Sequence, residues 1–495
     1  MRCLLLCLAF LAPAVPLSAV EGGRPNIILF VTDDMGADAG CYGNPVIKTP
    51  HLDALAKEGV RLTHAFCTTA SCSASRSVIL TGLFNHANAH YGHAHAYHHF
   101  SAYKSVKSLP VLLAEAGYRT GQIGKLHVEP PEVFKWQTVL PGPARNAVQM
   151  AENSKAFISQ TSDEPFFLYF CTADPHRSGG HIQADPDLPA DLQPNPFGNK
   201  PTGGYPGVTE VKYRPEEVIV PPFLPDTRVC RLELAQYYQS VSRIDQGLGR
   251  LVEILKGAGK YDDTLLIFTS DHGIAFPGGK TTVYEGGMLV PFVVKEPRGL
   301  RSEVKGQKSE VGSRRSEFGR QDGRVCRAMV SHVDLTPTIL DFAGALPKDH
   351  QLHGRSWKEA VREESPKGWD AVNASHTFHE ITMYYPMRVA RTREYKLIWN
   401  IAAGLPYPFA SDLWAAPAWQ DRHRQGPETL YGKRTVKDYI HRPAFELYDL
   451  AKDPDETKNL ASDPNYAKLL AEMKGQLKDF QKRTEDPWIL KWEYE

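Results

Sequence analysis

Five short runs rich in β-branched and aromatic residues, at 26–32, 118–123, 165–171, 264–270 and 291–295, are separated by longer helix-like stretches at 51–59, 109–117, 229–257 and 333–343. Strand-length apolar runs alternating with helices predict an α/β domain on a large, mostly parallel sheet flanked by helices. Each helical stretch closes at or near a glycine or a loop signal. With 495 residues, 42% of them hydrophobic, the chain exceeds one small domain, so a large unit plus a smaller one is expected. A composition change near Gly368 marks the start of the smaller unit, with strand-like 395–400 and 445–450 followed by a helix over 466–483.

Residues 1–19 read as a secretory signal peptide: Arg2, an apolar stretch over 4–11, then small residues at Ser18 and Ala19. The apolar run is too short to span a bilayer, and Pro13 and Pro16 interrupt it. The expected destination is therefore secreted, periplasmic or lysosomal. Beyond the signal, Cys41, Cys67, Cys72, Cys171, Cys230 and Cys326 are spaced for neither a disulfide scaffold nor a CxxC metal site, which leaves room for a chemical cysteine. Lys+Arg and Asp+Glu balance at 57 each, which removes the long-range field that would draw nucleic acid or an anionic membrane. An anionic substrate would need local positive charge instead. Residues 175–225, dense in Pro, Gly, Asn and Asp, read as a long ordered loop or partial lid. Residues 297–324, charged and without apolar periodicity, read as a solvated surface insertion.

Open α/β sheets bind ligands beyond the carboxyl ends of their strands. Asp33 and Asp34 follow the first run, Lys125 and His127 the second, Asp174 and His176 the third, Asp271 and His272 the fourth. Alone, each pair has a structural explanation, a helix cap or a hydrogen-bonded core histidine. Four such sets converging on one crevice do not, and carboxylates gathered there repel unless a cation sits between them.

The sharpest local signal is Cys72-Ser73-Ala74-Ser75-Arg76, followed by Leu80-Thr81-Gly82. A helix starting near Cys72 puts Arg76 at i+4 on the same face, and its first amides attract an anion. Spacing alone leaves a buried structural cysteine open. The six histidines between 86 and 99, His86, His90, His93, His95, His98 and His99, match no zinc spacing and are expected to form a polar rim loop.

CSASR followed by LTG resembles the signature of the sulfatase family, in which a dedicated formylglycine-generating enzyme oxidises the cysteine to formylglycine; Ala74 stands where proline is usual. The resemblance covers nearly the whole mature chain. It includes TDDMG at 32–36, GKLH at 124–127, DPHR at 174–177, SDHG at 270–273 and ELYDL-x-x-DP-x-E-x-x-NL at 446–460. Within the family, His98-His99-Phe100, Phe276-Pro277 before Gly279-Lys280, and His379-Glu380 through Arg388 look most like the sulfamidase branch, which acts on N-sulfated glucosamine.

The resemblance implies an alkaline-phosphatase-like catalytic domain over 24–367 and a C-terminal α+β subdomain with an antiparallel sheet over 368–495. It implies that hydrated formylglycine at position 72 attacks sulfur, the amine or alcohol leaves, and sulfate is then eliminated to restore the aldehyde. By resemblance, Asp33, Asp34, Asp271 and His272, with residue 72, surround one Ca²⁺, although the sulfamidase branch commonly has asparagine where His272 stands. Arg76 holds the hydrate, Lys125 and Lys280 neutralise sulfuryl oxygens, His127 assists elimination, and His176 is the candidate general acid. His379 and Glu380 contact the sugar or the substrate nitrogen, or else make a polar contact between the two units. The substrate implied is a sulfated saccharide, with no membrane span, and a homodimer stays open. The rival readings are an O-sulfatase on another sulfated glycan, a phosphoester or phosphonate hydrolase on the same fold, and an inactive protein that binds sulfated glycans.

Overall fold

The computed structural model describes residues 23–300 and 323–494. The signal peptide expected over 1–19 and most of the insertion expected over 297–324 lie outside these residues.

Eight strands form the large sheet: β1 (Asn26–Thr32), β2 (Val60–Phe66), β3 (Arg119–Gly124), β4 (Thr138–Leu140), β5 (Phe166–Cys171), β6 (Thr264–Ser270), β7 (Phe292–Lys295) and β8 (Arg324–Ser331). Their order is β4-β3-β5-β1-β6-β7-β2-β8. Only β7 runs antiparallel to its neighbours, so the sheet is mixed and mostly parallel, as expected. β1, β5 and β6 are buried at every residue. Helices cover both faces, so these strands have no solvent side and read as unbroken apolar runs. β1 pairs in parallel with β5 on one flank and β6 on the other. The chain therefore starts mid-sheet and winds both ways, and a crevice opens beyond the carboxyl end of β1.

The loops leaving these strands start from fixed points. The Asp33 amide donates to Asp174 O at 3.0 Å, the Asp271 amide to Thr32 O at 3.0 Å, and the Lys125 amide to Cys171 O at 2.9 Å. Gly124 makes the last contact feasible: its φ is +85°, and an added Cβ would lie 2.0 Å from Cys171 O. Gly124→Ala is therefore expected to destabilise the protein by about 1–3 kcal/mol from backbone strain alone, with the clash added. Denaturant unfolding checks this, and an unchanged midpoint would mean that β3 and β5 separate here without cost.

Helix α1 (Pro50–Glu58) follows the first strand, its first amides held by Asp245, and two later helices position the crevice. The 30-residue helix Arg228–Gly257 packs one long apolar face under the sheet. Helix α2 (Cys72–Thr81) is buried at all ten residues. Its small polar residues survive burial by bonding back to the helix, Ser77 Oγ to Ala74 O and Thr81 Oγ1 to Ser77 O, both at 2.7 Å. Gly82, at φ +65°, ends it.

The second sheet is antiparallel, with β9 (Ala371–His376), β10 (Met387–Thr392), β11 (Tyr395–Asn400) and a last strand Phe445–Asp449 in the order last-β11-β10-β9. Met473, Leu477 and Phe480 of the helix Ala467–Arg483 pack on Ala390, Leu397, Trp399 and Leu447, and the same cluster reaches Val78 of α2. Residues 175–225 hold one short helical turn, Ala190–Leu192, and are otherwise irregular. Side chains pin this segment: Asn195 accepts from the Ser178 amide at 3.1 Å, and Gln193 donates to Leu188 O at 2.9 Å. All six described cysteines are free and buried. No described helix is long and apolar enough to cross a membrane.

Candidate active site

The residues expected at the strand ends meet around Cys72. Asp33, Asp34, Arg76, Asp271 and His272 are fully buried, and Lys280 is nearly so. Arg76 crosses the centre: Nε donates to Asp271 Oδ2 at 3.1 Å, Nη2 to Asp33 Oδ1 at 3.2 Å and Nη1 to Lys125 O at 3.0 Å. Lys125 Nζ closes on the other Asp33 oxygen at 2.6 Å. Lys280 Nζ donates to Asp34 Oδ2 at 3.0 Å. Asp34 itself sits at φ +67°, His127 at +59° and Thr281, beside Lys280, at +65°. Such strained backbone persists where the surroundings over-determine it, and three of the nine positive-φ non-glycine residues described lie here.

The electrostatics follow from burial and pairing. Burial works against ionisation of Asp33, yet Lys125, His176 and Arg76 outweigh it and hold its pKa well below the carboxylate range. Asp34 is held low against the same burial by Lys280, His176 and His272. Asp271 goes the other way: burial, aided by Asp33 and Asp34, raises it to about 6 despite His272 and Arg76. Both ring nitrogens of His272 face acceptors, Nδ1 at 3.1 Å from Gly273 O and Nε2 at 2.9 Å from Asp34 Oδ1. These contacts favour a proton on each nitrogen, an imidazolium, and a metal ion on Nε2 would take the place of that proton. Burial opposes that charge, but Asp271 and Asp34 prevail and hold its pKa well above the usual value.

Cys72 opens α2, with Sγ 3.5 Å from Asp34 Oδ1 and 3.4 Å from His272 Nε2. Burial, opposed by Lys125 and Lys280, pushes its thiol up to about 11. One ligand atom from each of Asp34, Cys72, Asp271 and His272 lies within 4.8 Å of the others, and Asp33, Asp34, Cys72 and His176 form a second such group. Buried oxygen donors at this density are a set that a hard divalent cation could share.

His176 Nδ1 lies 2.5 Å from Arg177 O, so Nδ1 carries the ring proton and Nε2 is left to accept from Lys280 Nζ at 2.9 Å. Asp174, its neighbour in sequence, does not reach Cys72. It is bonded to Arg145 at 2.8 Å and Arg243 at 2.7 Å, and anchors the loop that carries His176. His379 is buried beside the helix start, its Nδ1 2.9 Å from Ser71 Oγ. Glu380 turns away, accepting from the Ser411 amide at 2.9 Å and its hydroxyl at 2.7 Å.

Sequence reasoning missed Asp412, whose Oδ2 is 2.9 Å from Lys280 Nζ and 3.9 Å from His176 Nε2. It lies in the four-residue helix Ser411–Trp414, inside an irregular stretch with no motif to flag it. The histidine loop is divided. His86 and His90 are buried, bonded to Ser375 Oγ at 3.0 Å and the Glu129 amide at 3.2 Å. His93 and His95 turn toward His127 and His379.

The chain is similar to known proteins over nearly its whole length. The chain is 39% identical to human N-sulphoglucosamine sulphohydrolase, over 94% of its own length and 92% of that protein's. It is 27% identical to an ulvan-active sulfatase of Formosa agariphila, over 91% and 79% of the two lengths. A solved structure described as a complex with its substrate D-glucosamine-2-N,6-O-disulfate superposes with a TM-score of 0.62 at 21% identity, covering 94% of this chain and 99% of that one. At that identity the likeness establishes the fold alone. The Sulfatase family model matches residues 25–345. That span takes in every strand of the large sheet and the whole carboxylate set around Cys72, and the chain belongs to the sulfatase family.

Proposed function

We propose that the protein removes the sulfuryl group from the nitrogen of an N-sulfated glucosamine, with Cys72 converted to formylglycine as nucleophile and a calcium ion held beside it. The observation that carries this reading is the setting of Cys72: the first residue of a fully buried helix, within reach of three carboxylates and of Arg76, Lys125, His272 and Lys280. The likeness to a sulphohydrolase of N-sulphoglucosamine over nearly the whole chain supports the choice of substrate. The buried thiol argues against acting unmodified. With a pKa of about 11, only about one thiol in 10⁴ is ionised at neutral pH.

Formylglycine supplies a geminal pair of hydroxyls, one to attack sulfur and the other to give up its proton as sulfate leaves. Asp33, Asp34, Asp271 and His272, with residue 72, would hold the calcium. Their oxygen-rich character suits a hard cation, which would polarise a sulfuryl oxygen. Arg76 fixes the nucleophile's orientation from i+4, and Lys125 and Lys280 offset charge on the sulfuryl oxygens. In the net reaction the S–N bond breaks and the leaving nitrogen gains a proton, sulfate departs with the attacking oxygen as its C–O bond breaks, and water adding to the aldehyde replaces that oxygen. His176 presents Nε2 toward Lys280, so that pair is the proton source. His127 takes the proton released on elimination. His379, and Glu380 through the segment it braces, face the sugar. The same reading assigns catalysis to residues 24–367, a supporting α+β unit to 368–495, maturation to a formylglycine-generating enzyme, and a secretory destination to the product.

The test is sulfate release with product identification from glucosamine N-sulfate and matched 6-O-sulfated and phosphorylated sugars, using calcium-supplemented protein whose aldehyde at position 72 is confirmed by peptide mass. Free amine from the N-sulfated sugar is the expected product. Preference for the O-sulfate would make the protein an O-sulfatase, and no turnover of any substrate would leave only glycan binding.

Asp412 is a positioning residue in this scheme, because it pairs with Lys280 alongside Asp34. Asp412→Asn is expected to lower kcat/KM by about 10- to 100-fold, the usual effect of losing an outer partner. Asp412→Glu should restore part of the rate. Steady-state kinetics check it, and equal loss in both variants would point to a merely structural role.

A further inference from the structure

His93 and His95 from one segment meet His127 from a second, with His379 from a third against His93, beside the start of α2. One ring nitrogen from each of His93, His95 and His127 lies within 4.8 Å of the others. His95 Nδ1 is 2.5 Å from His127 Nε2, and His93 Nε2 is 2.8 Å from His379 Nε2. Two imidazole nitrogens at hydrogen-bond distance require a lone pair on one of them, so each contact holds at least one ring in the form that ligates metals. Ser71 Oγ holds His379 Nδ1 at 2.9 Å, and Ser73 Oγ lies 3.5 Å from His93 Nδ1, leaving both Nε2 atoms turned toward the cluster. Such outer hydrogen bonds are how ligating histidines are oriented. His127 Nδ1 is buried with no hydrogen-bond partner. His95 is exposed and gives an ion a way in.

We infer that His93, His95 and His127 form a second metal site, with His379 beside it, selective for a borderline divalent ion of the zinc class, and that filling it inhibits hydrolysis. An all-imidazole set with short nitrogen-to-nitrogen spacing suits tetrahedral Zn²⁺ and not Ca²⁺, which takes six to eight oxygen ligands. The inhibition half rests on the reading above, in which His127 moves a proton: an ion on its nitrogen withdraws it. The site-binding half does not depend on that reading.

The experiment is a Zn²⁺ titration by calorimetry of untagged, calcium-saturated protein, wild type against His95→Ala, with sulfate release followed in parallel. His95 is exposed, so this variant is expected to fold. The wild type should take up one zinc that His95→Ala binds at least ~10-fold more weakly, and the zinc concentration that halves activity should rise in step. Equal zinc binding by the two proteins, or zinc uptake that only displaces calcium, would overturn the site. Zinc binding that depends on His95 yet leaves hydrolysis untouched would overturn the inhibition alone. A calcium-loaded enzyme inactive on every sulfated sugar would count against the proposed function and not against the zinc site, which the calorimetry reads by itself.

Discussion

Cys72→Ala is expected to eliminate sulfate release, by a factor on the order of 10⁴ or more, while the protein stays folded. The size of the loss follows from where the residue sits. Among the described residues, the hydroxyls flanking Cys72 are engaged elsewhere: Ser71 bonds His379, Ser73 faces His93, and Ser75 is bonded to Asp271 O. In the proposed scheme Lys125 and Lys280 would still bind a sulfuryl group, so the variant should retain substrate affinity and lose turnover. The fold should tolerate the change, since only one buried sulfur is removed from a helix held by its neighbours. Protein made in a host that leaves Cys72 as a thiol should be nearly as inactive, because burial keeps the thiol protonated at neutral pH. Kinetics on glucosamine N-sulfate, with unfolding curves on the same samples, check both statements. Alanine protein that kept even a few per cent of the rate would place the nucleophile elsewhere.

How much of this was legible beforehand depended on burial. β1, β6 and β11 begin and end where the sequence suggested, β1 and β6 because covered strands are written as nearly unbroken apolar runs, and β11 because Leu397, Ile398 and Trp399 mark it despite Lys396. β2 escaped notice because Arg61, Thr63 and His64 break its run, and β8 because it opens on Arg324 out of a charged stretch. β10 carries two arginines, which argue against a buried strand until their partners are known. Arg388 is bonded to Asp486 at 2.6 and 3.0 Å, and Arg391 to Glu285 at 3.3 and 3.0 Å. Partners some 100 residues away leave no local trace. The site was legible where the groups follow strands directly, as Asp33, Asp34, Lys125 and Asp271 do. It was not legible for Asp412, which arrives from the C-terminal part, or for the meeting of His93 and His95 with His127 and His379. Asp174 gave the opposite error: its place after a strand suggested the crevice, but two arginines hold it.

Arg76 is where fold and chemistry cannot be separated, and its replacement has the largest expected effect on stability. Its guanidinium is fully buried between Asp33 and Asp271. Burial alone would lower its pKa, but Asp271 and Asp33 raise it well above the ordinary value, so the charge is permanent. Arg76→Met removes one cation from among buried carboxylates and leaves them facing one another. Breaking a buried pair from one side costs about 3–5 kcal/mol, because the remaining charge has lost its compensation. Arg76→Lys keeps the charge, but a single ammonium cannot reach Asp271, Asp33 and the Lys125 carbonyl as a fork does, so it should recover only part of the loss. Calcium then separates the two roles of the residue. If the carboxylates also hold the ion, calcium should stabilise the Met variant more than the wild type, since it offsets the charge that arginine no longer does. It should not restore turnover, because no group would remain at i+4 to orient residue 72. Denaturant unfolding with and without calcium, alongside sulfate release, measures both, and a Met variant as stable as wild type in chelator would show that the carboxylates are not held apart by Arg76.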